Sequence, residues 1–175
     1  MIRQLYYFQL MLISLAISTT AFADHSWNDY HWARTNNPVA LQVVNSVTSD
    51  WEGQLVDAMS QWSHSNIINL EITLTDFAAN VRNRCPIVEG RLHVCNAKYG
   101  KNGWLGHTII GFDVNEHIDK ARARLNDSYF KLWTLERKNH VMCHEIGHVF
   151  GLAHTSQDGS SQQSCMDLSK DPLSQ

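Results

Sequence analysis

The sequence has no surplus of basic charge. Its 14 Lys and Arg stand against 17 Asp and Glu, for a formal net charge of −3. That balance offers no basic surface of the kind nucleic-acid-binding domains carry. Beyond the N-terminal segment no apolar run approaches the about 20 residues that a spanning helix needs, so no stable membrane anchor is expected there. There is no internal repeat and no low-complexity tract, which excludes a repeat array and a disordered spacer. What remains, at 43% hydrophobic residues, is the composition of an ordinary soluble globular protein.

One apolar stretch is present, at the N-terminus. Arg3 supplies a short positive region, residues 5–16 are mostly apolar, and Ala21-Phe22-Ala23 places small residues where a signal peptidase reads them. The stretch is short for an uncleaved anchor, and Gln9 interrupts it. The expectation is a signal peptide over 1–23, cleaved after Ala23, and a single mature domain over 24–175 that is secreted or periplasmic. The four cysteines fit an oxidising compartment.

The chemistry is concentrated in one run, His144-Glu145-Ile146-Gly147-His148-Val149-Phe150-Gly151-Leu152-Ala153-His154. Histidines four residues apart lie on one face of a helix, one turn apart, so two imidazoles can meet one metal ion. Glu145, next to the first of them, is then placed to touch the metal's water as general base. Gly151 suits the left-handed turn that ends a helix and brings His154 back as third ligand. Three protein nitrogens and an open position make a catalytic zinc pattern. Five fixed positions, each at about 5% usage, recur by accident on the order of once in ten thousand chains.

His144, Glu145, His148, Gly151, His154 and the later Met166 resemble the signature of the metzincin zinc endopeptidases, most closely its small secreted matrixin-like members. Leu105, Gly106, His107, Thr108 and Ile109 resemble the edge strand that pairs with substrate in matrixins. The resemblance spans roughly residues 51–166. It implies an α+β domain: a twisted mixed sheet with a backing helix and an active-site helix. It also implies one catalytic Zn2+, an extended peptide or protein as substrate, and Met166 as a hydrophobic floor beneath the histidines. A monomer is expected. Some relatives place a tyrosine two residues after the methionine, within reach of the metal; here that position is Leu168, so no tyrosine ligand is expected. Relatives usually carry a further helix after the methionine turn, whereas this sequence runs only to Gln175, and that helix is expected to be missing.

The cysteines allow three connectivities. Cys85 and Cys95 bracket a short loop, and Cys143 and Cys165 directly precede His144 and Met166. The favoured pairing is therefore Cys85 with Cys95 and Cys143 with Cys165, the second tying the active-site helix to the methionine turn. Free buried thiols are the competing reading.

Alternation predicts a strand at Val39, Leu41 and Val43, and a half-buried one at Ile68, Leu70, Ile72 and Leu74. Ser49 or Asp50 can cap a helix whose apolar positions are Trp51, Leu55, Ala58, Met59 and Trp62. Further strands are expected at 92–94, 104–112 and 121–125, a turn at 99–103, and a helix from about Thr134 to Gly151. His93, His107 and His117 are spaced loosely like structural zinc ligands, but no aspartate stands beside His93, and they are expected to be ordinary polar residues. His25, His31, His64 and His140 are expected at the surface. Asp113, Asn115 and Glu116 offer oxygens to Ca2+ without further support for it. Two other readings stay open: a secreted zinc-binding protein without protease activity, and a zinc amidase acting on a non-protein substrate.

Overall fold

In a computed structural model of the chain, the structure describes residues 26–155 and 163–168, the side chain of Phe130 excepted. The predicted signal peptide lies outside the described residues. A five-stranded sheet forms the centre, in the order β2-β1-β3-β5-β4. The strands are β1 (Val39–Ser46), β2 (Ile68–Thr75), β3 (Arg91–Ala97), β4 (Gly106–Phe112) and β5 (Ile118–Asn126). Neighbours pair in parallel except β4, which runs antiparallel to β5 at one edge. The mixed sheet with two principal helices is the α+β architecture expected.

Helix α1 (Ser49–Ser63) and helix α3 (Leu135–Val149) cover one face of this sheet. The side-chain period of two decides which residues meet them. Leu92, Val94, Ala121, Ala123 and Leu125 share that face and join Val43, Leu55, Met142 and Ile146 in the core. The intervening His93 and Cys95 take the other face, beneath the segment after α2 (Ala79–Arg84).

Several expectations shift. The N-cap of α1 is Thr48 rather than Ser49 or Asp50, and its side chain accepts no capping bond. The Thr48 N–H instead donates to Asn96 Oδ1 at 2.6 Å, so a buried asparagine from β3 anchors the helix start. The strand at 68–75 is less buried than its alternation predicts, with Ile72 and Leu74 exposed. It is the outer edge strand, and only Leu70 is buried there. Strand β5 is longer than expected, while α2 and the 3-10 turns Asp127–Leu132 carry no strong periodicity in sequence. Among the described residues no helix follows α3, and none is long and apolar enough to cross a membrane.

Candidate active site

Helix α3 begins where Thr134 Oγ1 accepts a hydrogen bond from Arg137 N–H at 3.3 Å. Val141, Met142, Ile146 and Val149 bury one side of it. His144 and His148 point out of the adjoining side into a cleft of about 840 Å³. The helix ends as Gly151 turns with φ +84°, and the Tyr30 carbonyl sits where a side chain at 151 would have to go. That reversal carries His154 back to the other two histidines.

The three Nε2 atoms form a nearly equilateral triangle: 3.0 Å from His144 to His148, 3.1 Å from His144 to His154, and 3.2 Å from His148 to His154. The opposite nitrogens explain their orientation. His144 Nδ1 lies 2.6 Å from the Cys165 carbonyl and His148 Nδ1 lies 2.7 Å from the Leu152 carbonyl. A carbonyl only accepts, so both Nδ1 atoms carry the proton and both Nε2 atoms present lone pairs inward. Burial pushes the His144 imidazole down to about 3, with His148 adding to the effect, and the His148 imidazole down to about 4. Burial lowers His154 as well. These rings are held neutral, the form that ligates metals.

The inward lone pairs of His144 and His148 repel one another unless a proton or a cation lies between them. The set fits zinc: nitrogens about 2.0–2.1 Å from a tetrahedral ion stand about 3.3 Å apart, close to the separations observed. The other buried Cys/His cluster, Cys85, His93 and Cys95, does not fit a metal. Its sulfurs are joined in a disulfide, and both His93 ring nitrogens are engaged at 2.8 Å, one by the Pro86 carbonyl and one by Ser46 Oγ.

Glu145 lies on the same helix, turned toward the edge strand. Thr108 Oγ1 is 2.6 Å from Glu145 Oε2 and 2.9 Å from the Glu145 carbonyl. The strand register makes this contact: Thr108 pairs with Ala123 on the helix-covered face, while His107 pairs with Arg124 on the opposite one. Gly106, also on the helix-covered face, leaves the room that the Glu145 side chain fills. Burial pushes this carboxyl up to about 7, against a smaller lowering by the Thr108 hydrogen bond.

Met166 packs under Gly147, between the two helix histidines, where a Cβ would collide with its Sδ. It is 3% exposed. Its turn is held by Met166 N–H to Ser164 Oγ (3.1 Å), Thr155 N–H to the Met166 carbonyl (3.1 Å), and Thr155 Oγ1 to Asp167. The Cys143–Cys165 disulfide joins this turn to α3, and Cys85–Cys95 closes the other loop. Leu168, two residues after Met166, lines the cleft.

Of the edge-strand residues, Gly106, His107, Thr108 and Ile109 belong to β4, and Leu105 just precedes it, its carbonyl accepting from Asn126 N–H at 2.8 Å. His107 Nδ1 accepts from Arg124 at 3.0 Å. His117 lies 3.6 Å from Asp113, whose Oδ1 also accepts from the backbone N–H groups of Asn115 and His117. That carboxylate holds a turn, and no cation is needed to explain it. His31 and His64 are exposed, and His25 lies outside the described residues. His140 departs from expectation: it lines the cleft and stacks on His144 with centroids 5.7 Å apart, because it lies one turn ahead on the same helix face.

Two further residues shape the site. Trp27 lies flat on His148, with ring centroids 4.5 Å apart and planes 2° apart. Asn126 is fully buried and organises the cleft rim, donating to the carbonyls of Gly100 (2.7 Å) and Trp104 (3.2 Å) while accepting from Tyr99 and Ser128 N–H. A strand-end asparagine could have drawn notice as a turn organiser. An aromatic residue far from the motif could not.

No protein-family model and no curated protein matches the chain. Among solved structures it is similar to an archaemetzincin from Archaeoglobus fulgidus, crystallised with malonate. The likeness has a TM-score of 0.43 and 21% identity, and covers 78% of this chain and 90% of that one.

Proposed function

We propose that the protein is a secreted zinc-dependent endopeptidase of matrixin-like character, with residues 1–23 its signal peptide. His144, His148 and His154 would hold the zinc, and Glu145 would act as general base. The observation that carries this reading is the inward triangle of three neutral imidazoles beside a buried carboxylate, at the foot of an edge strand. The two disulfides and the lack of a spanning helix among the described residues are compatible with export.

Zinc held there supplies Lewis acidity toward water and toward a carbonyl oxygen. The protein's own residues do the rest. An extended peptide adds beside β4 through backbone hydrogen bonds, which are largely indifferent to side chains. Thr108 fixes the Glu145 carboxylate. A carboxyl near pH 7 in proton affinity can accept a proton from the attacking water and release it to the departing nitrogen.

The test is digestion of a proteome-derived peptide library by the zinc-loaded protein. Expected are internal cleavages that a chelator abolishes, and a Glu145→Gln variant that keeps one zinc but cleaves at least about a hundredfold more slowly. A zinc-loaded protein that leaves the library intact overturns the reading.

A further inference from the structure

The cleft extends beyond the three imidazoles. Arg137, Val141, His144 and His148 recur along α3 at three- and four-residue steps, which return to one side of a helix, and all four line the cleft. Arg137 precedes His144 by two turns, about 10 Å along the axis. Leu132 and Tyr129, from the 3-10 turns, complete this limb. It is a largely apolar recess carrying one guanidinium.

Among the described residues Arg137 is the only Lys or Arg lining the cleft. The two carboxyls that line it among the described residues are occupied: Glu145 is 5% exposed and bonded to Thr108, and Asp167 is 1% exposed and bonded to Thr155. Among the described residues no carboxylate lies in ion-pair range of Arg137. Its one side-chain bond, Nη1 to the Leu132 carbonyl at 3.2 Å, steadies the group and leaves most of its donors unused. Helix stability does not call for an arginine here. Arg137 sits in the first turn of α3, where the positive end of the helix dipole disfavours a cation.

Building on the peptidase reading, we propose that Arg137 is a specificity-determining residue that binds a substrate carboxylate near the scissile bond, so that the preferred substrates are acidic peptides. A planar guanidinium pairs a carboxylate through two parallel N–H···O bonds. An arginine and a glutamate side chain together span roughly the 10 Å to the metal ligands, which places the acid within about two residues of the cleaved bond. The carboxylate can be an acidic side chain or the peptide's own C-terminus.

Fluorescein-labelled peptide pools separate these sources. One pool fixes Glu at one position with an amidated C-terminus, a second fixes Gln there with the same amide, and a third fixes Gln with a free C-terminal acid. Binding is read by anisotropy on metal-free protein, so hydrolysis plays no part. The Glu pool, the free-acid pool, or both should bind about tenfold more tightly than the Gln amide pool. The difference should vanish in Arg137→Gln, persist in part in Arg137→Lys, and invert in favour of a Lys pool in Arg137→Glu. Equal binding of the three pools to the wild-type protein, or a preference that survives Arg137→Gln, overturns the assignment. The zinc-loaded protein is then given the same pools. Selective binding without cleavage rejects the peptidase reading and leaves the carboxylate site standing; cleavage of all pools at equal kcat/KM rejects the carboxylate site alone.

Discussion

The indole of Trp27 and the imidazole of His148 lie face to face, 4.5 Å between centroids and 2° from parallel. The stack is held from behind. Trp27 N–H donates to the Gly151 carbonyl at 2.7 Å, Ser26 bridges to Leu152, and Trp32 Nε1 donates to the Val149 carbonyl at 2.9 Å. A segment from the start of the described chain is thus clamped across the end of α3, and its indole fixes the plane of a ring whose tautomer Leu152 already fixes.

Trp27→Ala should therefore weaken zinc binding about tenfold, the lower range for residues that orient a ligand without touching the metal. Trp27→Phe should recover most of the loss. Competition against a chromogenic chelator reads the affinity directly. An Ala variant with wild-type affinity would show that the stack merely fills space.

The two disulfides should separate on the same assay. Each closes a short loop, and opening either by paired Cys→Ser substitution should cost about 3 kcal/mol of stability. Only Cys143–Cys165 also holds the Cys165 carbonyl against His144 Nδ1. Losing it should lower zinc affinity, whereas losing Cys85–Cys95 should leave affinity unchanged. Equal effects on zinc would remove the tethering role.

His93 gives a pH dependence independent of the three histidines. Burial, the largest influence, lowers its pKa below the ordinary 6.5, and both ring nitrogens are hydrogen-bonded. Below about pH 6.5 the unfolded chain takes up a proton at this position that the folded chain refuses. The folded pKa is depressed, so the contribution is present above pH 6.5 and is lost as pH falls. His93→Gln should flatten the acid side of the stability curve by up to about 1.4 kcal/mol per pH unit. Urea melts in chelator, from pH 7.5 to 5, measure it. A wild-type-to-variant difference that stays constant with pH would refute the assignment.

The convergence of His144, His148 and His154 was legible because its information is local: a helical period, a glycine stop and a short return loop. The edge strand was legible through the resemblance of residues 105–109 to a substrate-pairing strand; that Thr108 falls on its helix side is set by the register with β5. What escaped depends on neighbours remote in sequence. Ile72 and Leu74 alternate as a buried strand should, yet lie exposed on an edge strand where only Leu70 is buried. His140 reads as a lone histidine until the helix is seen to carry it into the cleft. Trp27 meets His148 across 121 positions, and no pattern along the chain encodes that meeting.

Two glycines with opposite surroundings test how tightly the cleft is built. A Cβ at Gly106 would fall within 3.0 Å of Glu145 Oε1, Cγ and Cδ. Glu145 is nearly fully buried and pinned by Thr108, so it cannot swing aside without moving its carboxylate. Gly106→Ala should thus reduce kcat/KM by a hundredfold or more, on the order of a misplaced catalytic group, while zinc stays bound. Gly53, inside α1, has nothing within 4 Å of where its Cβ would be. Gly53→Ala should stabilise the protein by about 0.5–1 kcal/mol, because alanine has less backbone entropy to lose, and should leave turnover unchanged. Parallel thermal melts, zinc stoichiometry and peptide turnover for the two variants decide the matter. Full turnover in Gly106→Ala would mean that the carboxylate acts from a position other than the one Thr108 gives it.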